Sequence, residues 1–393
     1  MSRRSVITVL AATVLAAAPG VLLGQCEVGF RPGSTLLFPY FEVDLSNPNG
    51  VTTLISINDE SGGPALTRVV VWTDWAHPVL AFDLYLKPQD VQTINLRDLL
   101  NGVIPSTGDA GLLAFNGCQD HSPTHPNPAL TADEVRDLKF FLTGFSPNGY
   151  CEGERYGDNH ARGYITVDTV RVCSGISNVY LPGNTPTSST YFTDFAIVQN
   201  VLWGDLIYVD PTENSAQGVE AVAIRGDDSV FNRPGPVNTF YGRYIGWTGR
   251  DQRSPLPTFW QARFLNGGVF SGGTDYIVYR DVREGGSGAV CGAHPSWYPL
   301  FGESLTAHDE DGNLALSFGP NGVFGLATQR VAISSLEVDG LAAVFGRMDL
   351  DLSLPDGKPA GAWVIPIMIA SGKFSVDFNG QPVDTGCGRN PLP

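Results

Sequence analysis

The chain has 393 residues, 42% of them apolar and only 16% charged, with 46 Gly and 28 Pro. That length holds more than one core, and that apolar content excludes a disordered chain. The formal net charge of −16 excludes nucleic acid and anionic lipid surfaces as partners, because both select a basic face.

The first 24 residues read as a signal peptide. Arg3 and Arg4 make a basic start, and residues 6–18 form an apolar run too short to span a bilayer. Cleavage is expected after Gly24, with Gly20 as the second candidate. Cys26 would suit a lipidated N-terminus, but Gln25 occupies the position where a lipobox needs a small residue. The mature chain then carries 22 basic against 40 acidic residues. It is expected outside the cytoplasm, secreted or held in the periplasm or cell envelope. No later segment reads as a transmembrane span.

Strand signals follow in close order at residues 36–43, 51–57, 68–75, 79–86, 91–96, 112–115 and 163–170. Each is rich in β-branched or aromatic residues and bounded by turn formers. Residues 96–100 read as one helical turn. Residues 116–161 interrupt the pattern as an excursion with one short helix, opened by a capping box of Thr131 and Glu134 and stopped near Gly144. Seven strands with hairpin-length turns predict an antiparallel β-sandwich of immunoglobulin-like type.

The order of motifs then recurs. Residues 36–57 and 203–224 each carry an aromatic-rich strand ending in Val-Asp (Val43 and Asp44; Val209 and Asp210). A polar turn and a Gly-Val pair follow in both (Gly50 and Val51; Gly218 and Val219). Residues 275–281 echo 68–74, 329–336 echo 92–99, 341–345 echo 112–115, and 362–365 echo 163–165. The echoes predict a duplicated sandwich. The expected fold class is therefore all-β, with two tandem β-sandwich domains. The first spans 25–175, a Gly/Pro/Ser/Thr-rich linker spans 176–194, and the second spans 195–393 with insertions at 225–273 and 282–327.

Loops on a rigid scaffold are where sites tend to sit, so the three excursions are the places to look for function. In 225–273, Tyr241, Arg243, Trp247, Trp260 and Arg263 are candidate ligand contacts. Their rings would stack on sugar or peptide and their guanidinium groups would hold polar atoms. A satellite core beneath a long insertion accounts for the same residues. The first excursion gathers Asp120, His121, His125, Asp158 and His160, side chains that suit a divalent metal. Their spacing fits no defined site, and a polar loop closed by a disulfide is the alternative. The acidic turn at 309–313 lacks EF-hand spacing and reads as a hairpin turn.

Six cysteines in an exported chain predict disulfides, and none forms a CxxC pair that would suggest zinc. Cys291 and Cys387 stand alone in the second half and are expected to pair. Among the other four, Cys118–Cys151 and Cys26–Cys173 are favoured over the two remaining connectivities. There is no nucleophile elbow, HExxH helix or phosphate loop. No cofactor is expected apart from that divalent metal. The chain thus reads as a non-enzymatic binding or surface-structural protein whose partner is an extracellular or envelope protein or a glycan. The competing reading is a secreted hydrolase acting on polysaccharide, which would need two carboxylates meeting in a cleft beside the 225–273 aromatics.

Overall fold

The computed structural model describes residues 31–105, 129–145, 149–174, 179, 183–227, 239–246, 250–281, 289–291, 305–317, 324–336, 344–353 and 361–383. The chain is mostly β. It begins with β1 (Thr35–Asp44), β2 (Thr52–Asp59), β3 (Ala65–Thr73), β4 (Pro78–Leu86), β5 (Val91–Asn95) and the one-turn helix α1 (Leu96–Leu100). Helix α2 (Ala132–Leu142), β6 (Tyr150–Cys151), β7 (His160–Val170) and α3 (Ser189–Asp194) follow. Next come β8 (Leu202–Asp210), β9 (Ser215–Glu220), β10 (Val222–Ile224), α4 (Gly242–Ile245), β11 (Phe259–Leu265) and β12 (Gly273–Arg280). The last part adds β13 (Ala289–Val290), β14 (Leu305–Asp309), β15 (Leu314–Ser317), β16 (Thr328–Ala332), β17 (Phe345–Asp351), β18 (Ala362–Ala370), β19 (Phe374–Asp377) and β20 (Gln381–Pro382).

Four antiparallel sheets result, together with a two-stranded ribbon of β6 and β13. Sheet A has the order β10-β1-β7-β3-β4 and sheet B the order β5-β2-β8-β9. Sheet C is β16-β12-β18-β19 and sheet D is β15-β14-β17-β11-β20. The patterning of the strands explains where each sheet lies. Strands β3 and β4 are buried at every position, as largely apolar strands are in a sheet covered on both faces, and their one pair of opposite charges, Arg68 and Asp83, is joined at 2.9 Å. Strand β8 alternates instead. Leu202, Gly204, Leu206 and Tyr208 point inward, while Trp203, Asp205 and Ile207 point outward, the pattern of a half-buried strand.

Successive residues of β1 and β3 feed two different cores. Leu36, Phe38, Val69 and Val71 pack with Ile55, Ile57, Leu202 and Leu206 of sheet B, and α2 adds Leu138 and Leu142. Leu37, Tyr40, Val70 and Trp72 pack on the other side of sheet A with Ile277 and Tyr279 of sheet C, in a core that continues to Trp260, Phe264 and Met348 of sheet D. Trp72 stacks on Tyr164 at 5.5 Å, and Tyr164 meets Tyr279 edge-on at 5.1 Å. Each such buried large apolar side chain contributes about 1.5–3 kcal/mol over its exposed state.

The expected helix start holds. Thr131 accepts from the Glu134 backbone, and the Glu134 carboxylate reaches back to the Thr131 N–H. The chain leaves α2 through Gly144, whose φ of 63° suits glycine. The 309–313 turn joins β14 to β15 around the Asp309 carboxylate, with Gly312 at φ 81°.

The domain organisation departs from expectation. Strand β8 pairs with β2 from Thr52↔Val209 to Asp59↔Leu202, and β10 pairs with β1. Residues 202–224 therefore complete the first pair of sheets, and a boundary at 195 does not divide two sandwiches. A strand joins whichever edge its inward face fits, irrespective of distance along the chain. The expected linker contributes α3, which buries Tyr191 and Phe192. The expected insertions supply β11, β14 and β15, which form sheet D with β17 and β20.

The echoes divide in the same way. Strands β3 and β12 hold matching places: Trp72 faces Tyr164 across β7, and Tyr279 faces Trp363 across β18. Strands β1 and β8 do not, since β1 lies between β10 and β7 while β8 lies between β2 and β9. Strand β5 pairs with β2, whereas its echo β16 pairs directly with β12. The segment 112–115 lies outside the described residues.

The disulfide pairing is also corrected. Cys151 is bonded to Cys291, with Cα atoms 4.9 Å apart, so neither Cys118–Cys151 nor Cys291–Cys387 forms. The β6–β13 ribbon sets Ala289 opposite Cys151 and brings the two sulfurs together; nearness in sequence is no guide to that geometry. Cys173 is disulfide-bonded too. Its expected partner Cys26, like Cys118 and Cys387, lies outside the described residues.

Candidate functional site

The aromatic and Arg residues expected to line a ligand surface are mostly internal. Tyr241 is buried and its hydroxyl donates to Asp168 Oδ2 at 3.1 Å. Asp168 also accepts from Thr35, from Tyr191 at 2.9 Å and from Arg253 Nε at 3.1 Å. The result is a polar knot inside the core, satisfied by neighbours as buried polar groups require. Arg243 is buried with its Nε 3.6 Å from Asp281. Trp260 is 1% exposed, packs edge-on against Trp363 at 4.9 Å and donates to the Pro257 carbonyl. These three side chains are closed to an external ligand. Arg263 is exposed on β11 opposite Arg347, on the face of the strand away from Trp260. Trp247 lies outside the described residues.

Of the expected metal ligands, Asp120, His121 and His125 lie outside the described residues. Asp158 and His160 are drawn into a different structure centred on Glu42. Glu42 Oε2 accepts from Tyr40 at 2.7 Å and Tyr208 at 3.0 Å. Its Oε1 accepts from Arg162 at 2.7 Å and lies 2.6 Å from His160 Nδ1. Asp158 binds the same guanidinium, which rests 4.3 Å from the Tyr156 ring centre. Arg330 lies over the Tyr208 ring and donates to Asp275 at 2.7 Å. Burial works to raise the Glu42 carboxyl, but Arg162, the Tyr40 hydroxyl and His160 outweigh it and hold it below the usual carboxylate range. The cluster fastens β1 and β7 of sheet A, β8 of sheet B and β12 and β16 of sheet C at one point. Among the described residues, no group of three or more His, Cys, Asp or Glu side chains is placed to hold a metal.

The open site is on the outer face of sheet B. A cavity of about 690 Å³ lies over its four strands. Register builds the floor in two rows. Asn95, Leu54, Ile207 and Gly218 form one, and Thr93, Ser56, Asp205 and Glu220 form the other. Ile207 is 42% exposed, and Trp203, two rows along β8 on the same face and just beyond the cavity lining, is 45% exposed. A Cβ on Gly218 would meet nothing within 4 Å, so the missing side chain leaves room above β9. Ser56 donates to Asp205 Oδ2 at 3.1 Å, and Asn58 donates to Ser56 and to the Trp203 carbonyl at 3.3 Å. Among the described residues, no Lys or Arg lines the cavity.

In the sequence Trp203, Asp205, Ile207 and the Gly218-Val219 pair all read as parts of a repeat, which hides the face they share in the fold. The signal was present in the alternation of residues 202–208, which places an exposed Trp, a carboxylate and an Ile on one side of one strand. No family model, curated protein or solved structure matches the chain.

Proposed function

We propose that the chain is an exported, non-enzymatic binding or surface-structural protein, with sheets A and B as a β-sandwich scaffold and the trough on sheet B as its contact surface. The trough carries the reading: among the described residues it combines a cavity, an exposed apolar side chain and polar groups on one face. The signal-like N-terminus, the Cys151–Cys291 bond and the acidic composition support an oxidising, extracytoplasmic setting. Among the described residues, no helix is long and apolar enough to cross a membrane. The partner is an extracellular or envelope protein or glycan, and the contact surface moves from the excursions to sheet B because the described aromatics of 225–273 are largely buried.

Asp205 and Glu220 stand opposite one another in the trough, as a hydrolase would need. Both face the open side, and among the described residues no group from outside sheet B converges on them. Binding is therefore favoured over cleavage. The test is to fill the trough. Gly218→Trp has space for its side chain, so it should fold like the parent and lose capture of immobilised envelope proteins or polysaccharides. Capture that survives the substitution would place the contact elsewhere. Shortening of a polysaccharide on incubation would make the protein an enzyme.

A further inference from the structure

We infer that the ligand of the sheet B trough is a segment of neutral glycan lying along β8; this rests on the trough being the contact surface. Three observations lead to it. The first is the order of side chains along one face of β8: Trp203, then Asp205, then Ile207, spaced about 7 Å apart by the strand repeat. A flat exposed indole followed by a carboxylate and an aliphatic group alternates apolar and hydrogen-bonding contacts. A pyranose chain alternates in the same way, with C–H faces that stack on rings and equatorial hydroxyls that donate to carboxylates.

The second observation is the acceptor excess. Asp205 and Glu220 are direct cross-strand partners, which brings their Cβ atoms to about 4.5–5.5 Å and is unfavourable for like charges. Asp205 uses Oδ2 for Ser56, and its Oδ1 has no hydrogen-bond partner among the described residues. Glu220 has none at either oxygen. Ser56, which could donate to a ligand, is already engaged. A ligand that brings hydroxyl donors satisfies this set.

The third is charge. Two carboxylates and no cation exclude uronic acids, sulfated sugars, phosphate esters and nucleic acid. The cavity lining is mostly apolar, but a lipid chain would cover Asp205 and Glu220 without offering either carboxylate a donor. An extended peptide would recognise the free main-chain groups of a sheet edge, whereas the trough presents a face.

Binding of the purified full chain to soluble mixed-linkage glucan, xylan, galactomannan and polygalacturonate, measured by calorimetry in buffer containing EDTA, tests the assignment. At least one neutral polymer should bind and polygalacturonate should not. Trp203→Ala should weaken that binding by about tenfold or more, as loss of an aromatic anchor does. Trp203→Tyr should retain most of it, and Asp205→Asn and Glu220→Gln should each weaken it. The thermal midpoints of these variants should match the parent. Failure of every neutral polymer to bind, binding only to polygalacturonate, or binding that requires added calcium would overturn the glycan assignment. If a protein ligand is captured instead and Gly218→Trp abolishes it, the trough is a site and only the ligand class is wrong. If Gly218→Trp changes no capture at all, the contact surface itself is misplaced.

Discussion

Glu42→Gln is the most informative substitution in the molecule, because one carboxylate there joins sheets A and B, and sheet C is attached to it through Arg330 over Tyr208. The glutamine has the same size but carries an NH2 group where Tyr40, Tyr208 or Arg162 now donates. One donor is set against another, and Arg162 keeps only Asp158, whose side chain is 43% exposed. Breaking a mostly buried ion pair by removing one partner costs about 3–5 kcal/mol, and that is the expected loss at pH 7. Guanidinium denaturation of both proteins with disulfides intact should show it as a lower midpoint at unchanged slope.

Acid supplies the control. The native carboxyl titrates below its ordinary range, so its contribution is fully present above the unfolded value of about 4.3 and is lost as pH falls through the lower native value. The gap between parent and variant should therefore narrow progressively below about pH 4. A loss under about 1 kcal/mol at neutral pH, the worth of an exposed pair, would refute the account of the junction. So would a gap that stays constant into acid.

Three further outcomes are expected. Peptide mapping without reduction should recover Cys151 linked to Cys291, and replacing both by serine should cost about 5 kcal/mol for a closed loop of this length; a Cys118–Cys151 peptide would contradict the fold. Burial, partly offset by the Glu154 backbone N–H, pushes the Asp74 carboxyl up to about 7. The native state thus holds that proton more tightly than the unfolded chain, and the Asp74 contribution to stability declines as pH rises from about 4 through 7. Asp74→Asn should accordingly gain stability relative to the parent between pH 6 and pH 8, and a difference that does not move with pH would count against the assignment. N-terminal sequencing of the exported protein should begin at or near Gln25, and a chain retaining Met1 would rule out the cleaved leader.

Local features were legible in the sequence. The capping box at Thr131, the helical turn after Asn95 and the strands built on β-branched runs are set by residues close together, and they stand where they were read. Trp72 and Tyr279 both lie in strands with a strand on either side, as their runs of β-formers suggest. What failed was everything that depends on partner choice. Nothing in residues 202–210 announces that their edge belongs to β2, because β-pairing is carried by backbone groups common to every strand. Buried and stacking aromatics have the same composition, so Tyr241 and Trp260 were read as a surface when the core had claimed them. The Glu42 cluster draws one residue or two from each of five strands and so leaves no motif.

The pairing of β2 with β8 constrains the order in which the chain can fold. Asn58 reaches the Trp203 carbonyl across 145 residues, and Thr35 reaches Asp168 across 133. Contacts this distant slow folding more than they weaken the folded state. A chain emerging from the ribosome or a translocation channel would carry the apolar faces of β1 and β2 exposed until residues 202–224 arrived to cover them. Sheets A and B cannot both be completed by an N-terminal unit alone. A fragment ending at 195 should be captured by chaperones or aggregate, because folding during synthesis leaves β1 and β2 waiting for strands made some 145 residues later.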